Sequence, residues 1–366
     1  MKLTIGSALL RVASAIVLLG ITSLAIPGHA QTKAYVANTS GTVSVIDTGT
    51  NETVATIPVG IFPSGVAITP DGTRAYVANI INSVSVIDTR TNTVVATIPS
   101  GQFPTGLAIT PDGSRAYVVN QFLTNGVNTV SVIDTVTNTI VQTIPVGRGP
   151  VEVAITPDGT RAYVPNQQDF VISVIDTTSN TVVTTIPVVG AAGIAITPDG
   201  TRAYVTSPGE GSASVIDTAT NIVLATILFG TNQNPFGIAF TPDGSRAYVT
   251  LNAPNIVAVI DAATNSVVGT ISVGLSPIGV AITPNGRQAY ITNDDSNTVS
   301  VIDTATLTLA ATLVVGIGPN AIAITPGIGP PTKIGECKQG GWRIFTIPRE
   351  FKNQGSCVSF VNTGRD

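Results

Sequence analysis

Self-similarity at a fixed period constrains this chain more than any other feature. An apolar stretch ending in TPDG, the string RAYVAN, a short polar loop, SVSVIDT, an xTN turn and TVVATIPVG recur in that order seven times. The tyrosines Tyr35, Tyr76, Tyr117, Tyr163, Tyr204, Tyr248 and Tyr290 mark the copies, at spacings of 41, 41, 46, 41, 44 and 42 residues. Each period holds four β-prone runs of about five residues, punctuated by Gly, Pro, Asn and Asp and without helical periodicity. Four strands in a repeat of roughly 40 to 45 residues describe one blade of a β-propeller. The expected fold is therefore all-β: a seven-bladed β-propeller of four-stranded blades over residues 31–329, followed by a small disulfide-stapled tail.

The strand composition agrees with that architecture. Runs such as Val43-Ser44-Val45-Ile46 are apolar on both faces, as expected of strands sandwiched between neighbouring blades. Only 10% of the residues are charged, which a soluble chain tolerates when its polar groups are concentrated in turns. One blade alone cannot bury its faces, so stability must come from stacking around a ring. The first copy starts at Ala34-Tyr35 without its leading strand, and the last segment, Ala321 to Thr325, is that strand alone. The two ends are expected to complete one blade, with the C-terminal strand at its inner edge.

The strings Tyr76-Val77-Ala78-Asn79 and Tyr290-Ile291-Thr292-Asn293, with the recurrent TPDGxRAYV and SVIDTxTN, resemble the YVTN-repeat β-propeller family over residues 34 to 326. The resemblance implies an exported or cell-surface bacterial or archaeal protein. The family shares no single reaction, and it has no catalytic residues to carry over.

Both ends differ from the repeats. Residues 1–30 read as a cleaved signal peptide: Lys2 and Arg11 precede the apolar run Val12 to Ile26, and Gly28 and Ala30 stand before Gln31. The mature chain is then expected to be periplasmic, cell-surface or secreted, with no transmembrane segment. After Pro330-Pro331 a module spanning residues 330–366 begins. Its Cys337-Lys338-Gln339-Gly340-Gly341-Trp342 and Phe351 to Val361 strings resemble a small unit found on otherwise unrelated exported bacterial proteins. Cys337 and Cys357 are the only cysteines, and an even number in an exported chain favours a disulfide. Such a bridge closes a loop of about 20 residues, worth about 3 kcal/mol in the chain-entropy picture. Trp342 and Arg343 are this module's candidate contact residues; a stapled cap without a partner is the alternative.

Removing the leader also removes His29, the only histidine. That excludes Ser-His and Cys-His nucleophilic pairs, imidazole metal ligands and a histidine general base. Residues 31–329 carry 9 basic and 18 acidic side chains, against 6 and 3 in residues 330–366. An acidic body opposes a phosphate backbone, so nucleic acid is not an expected partner.

A residue present in every blade is most simply explained by what every blade needs. Asp71, Asp112, Asp158, Asp199 and Asp243, with Asn285 in the sixth copy, sit in Pro-Asp/Asn-Gly turns. Asp47 and its equivalents end strands before Thr-x-Thr-Asn turns, where a carboxylate accepts local backbone hydrogen bonds. Arg74, Arg115, Arg161, Arg202, Arg246 and Arg287 are expected to pack or pair between blades.

Departures from the repeat are therefore the candidate site. Where other copies have Gly65, Gly106, Gly193, Gly237 and Gly279 at the start of the inner strand, the fourth has Glu152, with Arg148 four residues earlier. This arrangement either places a carboxylate at the channel mouth or forms an Arg148–Glu152 pair on a wet rim. Phe62, Phe103, Phe122, Phe170 and Phe236 lie in or beside the loops entering the first strand or joining the second and third, with Asp294 and Asp295 nearby in the pattern. An aromatic rim suits a protein or glycan partner; the alternative is that each Phe plugs the space between adjacent blades. The leading reading is an exported, non-catalytic binding propeller of the cell envelope that needs no cofactor. The alternative is a calcium-dependent lactonase-like hydrolase using Glu152 with Asp294 or Asp295.

Overall fold

The computed structural model describes residues 32–121 and 127–326. The expected signal peptide, Phe122 and the C-terminal module with Cys337, Cys357, Trp342 and Arg343 lie outside the described residues.

The described residues form 28 strands in seven separate four-stranded antiparallel sheets, and their single helical element is a three-residue 3-10 turn, Pro208–Glu210. Blade 1 joins β1 (Lys33–Asn38), β2 (Thr42–Asp47) and β3 (Glu52–Pro58) to the last strand, β28 (Pro319–Ile324), in the order β28-β1-β2-β3. Tyr35 pairs with Ala323 and Val36 with Ile322, so the C-terminal strand is the inner edge of the first blade, as the repeat boundaries require. The inner strands of blades 2 to 7 are β4 (Pro63–Ile68), β8 (Pro104–Ile109), β12 (Ala154–Ile155), β16 (Ile194–Ile196), β20 (Pro235–Phe240) and β24 (Pro277–Ile282). No helix among the described residues is long and apolar enough to cross a membrane.

Each repeated residue has a local task. In the first turn of blade 2, Asp71 Oδ1 accepts the Thr69 hydroxyl at 2.5 Å and the Thr73 N–H at 3.0 Å. Asn285 does the same with Thr283 and Arg287. Asp88 Oδ1 accepts the N–H groups of Arg90 and Thr91, both at 3.0 Å, closing the other turn on that face. These bonds to the ionised form hold both carboxyls below the usual range, against a desolvation that is the largest single influence on Asp71.

The second and third strands of each blade are buried on both faces, and blade-to-blade packing forms the core. The tyrosines cross these interfaces. Tyr76 of blade 2 donates to Asn138 Oδ1 of blade 3 at 2.8 Å, and Tyr35 of blade 1 to Asn92 Oδ1 of blade 2 at 2.8 Å. Tyr290 of blade 7 reaches Asn51 of blade 1 at 2.5 Å, closing the ring. Each such bond contributes about 1 kcal/mol.

The arginines divide. Arg74 and Arg115 pair within their own blades, with Asp88 and Asp134 at 2.5 Å, whereas Arg202 and Arg246 donate across the interface to the carbonyls of Ala262 and Thr304. Arg287 is out of register with this set. The strand starts at Gln288, which pairs with Asp303 as Arg74 pairs with Asp88, so glutamine takes the arginine position in blade 7.

Candidate functional site

Glycine on the inner strands lets the seven blades approach one another at the axis. A Cβ on Gly65 would run into the carbonyl of Thr105, on Gly193 into that of Phe236, and on Gly279 into that of Asn320. Hydroxyls fasten the same contacts. Thr206 Oγ1 accepts the Gly193 N–H at 2.9 Å and donates to the Phe236 carbonyl of the next blade at 2.7 Å. Thr250 and Thr292 repeat the arrangement toward Ile278 and Asn320, and Thr105 reaches Val151.

Blade 4 departs from this pattern. Its inner strand has only two residues and that of blade 5 only three, against six elsewhere. Glu152 stands in the glycine position and projects into the central channel, a cavity of about 190 Å³ lined by Gly65, Gly193, Gly237, Gly279, Ala321 and a ring of Val, Leu and Ile. Among the lining residues it is the single ionisable group. It is half-buried at the lumen. Burial pushes its pKa up to about 7, offset in part by the Val153 N–H at 3.3 Å. The channel therefore holds one carboxyl that changes protonation near neutrality.

Arg148 does not pair with Glu152. Its side chain binds Asp169 Oδ1 at 2.7 Å and its backbone N–H binds Asp169 Oδ2 at 2.7 Å, an exposed pair worth little to stability. Asp295 takes the Ser276 hydroxyl, while Asp294, its pKa raised by burial and by Asp295, lies beside Gly318. No group of three or more Asp, Glu, Cys or His residues suited to a metal ion occurs among the described residues.

The loops entering the inner strands and those joining second to third strands share one face. The residue three positions before the inner-strand glycine position has a left-handed backbone in every blade: Phe62, Phe103, Gly149, Gly190, Asn234, Ser276 and Gly318. Gly and Asn adopt this conformation readily, but for an aromatic residue it costs about 1 to 2 kcal/mol. Phe62 has φ 51° and Phe103 φ 46°. Phe170, φ 56°, holds the left-handed position of a second-to-third loop that is filled by Gly41, Asn82, Gly211, Asn255 and Asn297 in other blades. Strain of this kind persists where the surroundings or a function require it. Phe62 and Phe170 are 52% and 53% exposed, so packing does not account for them. Ile61, Ile81, Val127, Val189, Leu275 and Ile317 are exposed on the same face. Phe236 instead belongs to β20, half-buried, where its carbonyl serves the Thr206 staple. The structure thus brings Phe62, Phe103 and Phe170 to one rim, and puts Glu152 alone in the channel.

No family model matches the chain, and no curated protein matches it. Among solved structures it is similar to hydrazine synthase of Kuenenia stuttgartiensis, with 27% identity over 74% of this chain and 92% of that one and a TM-score of 0.68. A functionally unknown protein from Desulfotomaculum acetoxidans is 22% identical over 80% and 99% of the two chains, with a TM-score of 0.71. A "putative 6-phosphogluconolactonase" from Bacteroides fragilis is 20% identical over 81% and 98%, with a TM-score of 0.67. The class defined by fold and comparisons is the seven-bladed β-propeller.

Proposed function

We propose that the chain is an exported YVTN-repeat propeller that works by binding, and that its rim of left-handed phenylalanines and exposed aliphatic residues receives a protein or glycan of the cell envelope. The observation that carries this reading is the replacement of Gly or Asn by Phe62, Phe103 and Phe170 at three positions where the backbone favours the small residue. The aliphatic residues around them supply contact area without any evident role in the core. The leader at residues 1–30 and the Cys337–Cys357 module fit delivery to, and retention at, the envelope. The test is capture of solubilised envelope components by the full chain. A component retained by the parent and lost when Phe62, Phe103 and Phe170 are replaced supports the reading; no retained component, together with measurable lactone turnover, sinks it.

Glu152 favours a second reading. A carboxyl near neutrality inside a narrow channel is suited to proton transfer, and hydrolysis of a lactone is the corresponding reaction. The calcium-dependent form of that reading expects calcium to raise the melting temperature, with the rise lost in Glu152→Gln.

A further inference from the structure

On the opposite face, the groove between blades 6 and 7 departs from the repeat in two places. The xTN turn that supplies an asparagine to the tyrosine of the preceding blade has Leu307 instead, held at φ 55°. The Pro-Asp-Gly turn carries Asn285 in place of aspartate. Tyr76, Tyr117, Tyr163, Tyr204 and their equivalents all reach an Asn Oδ1 across the interface. Among the described residues Tyr248 has none, and its buried hydroxyl finds no acceptor there. Arg246 lies beside it, but a guanidinium only donates. Its own bond goes to the Thr304 carbonyl at 3.1 Å, and no carboxylate lies within ion-pair distance among the described residues.

The groove between blades 3 and 4 serves as an internal control. There Tyr117 donates to Asn180 at 2.6 Å, Arg115 is tied to Asp134 at 2.5 Å, and Asp158 adds a negative charge. That cavity measures about 210 Å³, whereas the one between blades 6 and 7 measures about 390 Å³, within the range of small-molecule sites. Leu307 packs on the apolar cluster that includes Tyr248, so the missing asparagine is replaced on its apolar side only. Asp243, on the groove wall, is occupied by Thr241 and Ser245 of its own turn.

We propose that this groove is a binding pocket for a small carboxylate, which accepts from the Tyr248 hydroxyl and the Arg246 guanidinium. An acceptor-rich anion is the chemistry that two converging donors, neither of them hydrogen-bonded to a carboxylate, recognise; Asn285 removes one of the negative charges around the groove, where Asp243, Asp261 and Asp303 remain. The site is independent of the rim on the other face.

The experiment uses the full chain labelled with 3-fluorotyrosine, whose seven fluorine resonances report the seven repeats. Loss of one resonance in Tyr248→Phe assigns it. Acetate, succinate and benzoate are titrated, with succinamide as the uncharged match to succinate. The proposal expects at least one acid to move the Tyr248 resonance alone, with half-saturation in the millimolar range. Succinamide should leave it in place, and Arg246→Gln should weaken the acid by about tenfold or more. Leu307→Asn restores the repeat's own acceptor, so it should abolish the response and raise the melting temperature. The proposal is overturned if none of the acids moves that resonance, if succinamide moves it equally, or if Leu307→Asn binds as well as the parent.

Discussion

The carboxyl of Glu152 rests against Gly106 on the neighbouring inner strand: a Cβ on Gly106 would stand 2.5 Å from Glu152 Oε1 and 2.7 Å from Glu152 Cα. The channel acid thus occupies its place because the adjacent blade offers no side chain. Gly106→Ala is expected to push Glu152 and β8 apart, at a cost of about 1 to 3 kcal/mol. Urea unfolding of the full chain measures it, and a midpoint unchanged from the parent would show that the two residues do not share this space.

Glu152 also sets the sign of one pH dependence. Its folded pKa of about 7 lies above the ordinary 4.5, so its stability contribution is full below about 4.5 and is lost as pH rises through 7. At about 1.4 kcal/mol per unit, the loss is at most about 3 kcal/mol, reduced by whatever water enters the lumen. The turn aspartates act oppositely. Asp112, Asp158, Asp176 and Asp217 have lowered pKa values, so they favour folding above the unfolded pKa and withdraw that support as pH falls through the folded one. Unfolding free energy is therefore expected to peak in mildly acidic solution. In Glu152→Gln the decline between pH 5 and 8 should vanish while the acid loss remains.

Ring closure rests on β28. Deleting residues 319–326 strips β1 of its partner on the inner side, leaving only β2, and removes Ile322 from the blade 7–blade 1 core. The expected loss is several kcal/mol, a fall in melting temperature of roughly 10 °C or more. Differential scanning calorimetry reads it directly, and an unchanged melting temperature would mean that the ring does not depend on this joint.

Much of the fold was legible in the sequence because a repeat repeats its physics. Seven tyrosines, seven VID aspartates and the mismatched ends sufficed to give the blades and their closure. Glu152 stood out as the charged residue in a column of glycines, with the channel mouth and a pair with Arg148 both open, and the structure places it in the channel. Other features were hidden by attention to residue type in place of repeat position. Phe62 and Phe103 read as loop aromatics until their column, shared with Gly149, Asn234 and Gly318, is seen to be left-handed. The Arg148–Glu152 pair looked plausible at four residues' separation, yet Asp169 on the adjoining loop is nearer in space. Leu307 breaks the xTN pattern, a departure the sequence reading passed over; its consequence falls on Tyr248, 59 residues earlier, and only the inter-blade packing joins the two.

The central claim is that the left-handed phenylalanines are kept for a partner at the expense of stability. Replacing Phe62, Phe103 and Phe170 together by Asn, which stands at the matching positions as Asn234 and as Asn82, Asn255 and Asn297, separates the two effects. Envelope capture by the full-length parent, by this triple variant and by Tyr248→Phe as a control on the opposite face is the most direct measurement. We expect the triple variant to be more stable by about 1 kcal/mol or more per site and to lose the component that the parent and Tyr248→Phe both retain. Equal retention by all three proteins would contradict the account.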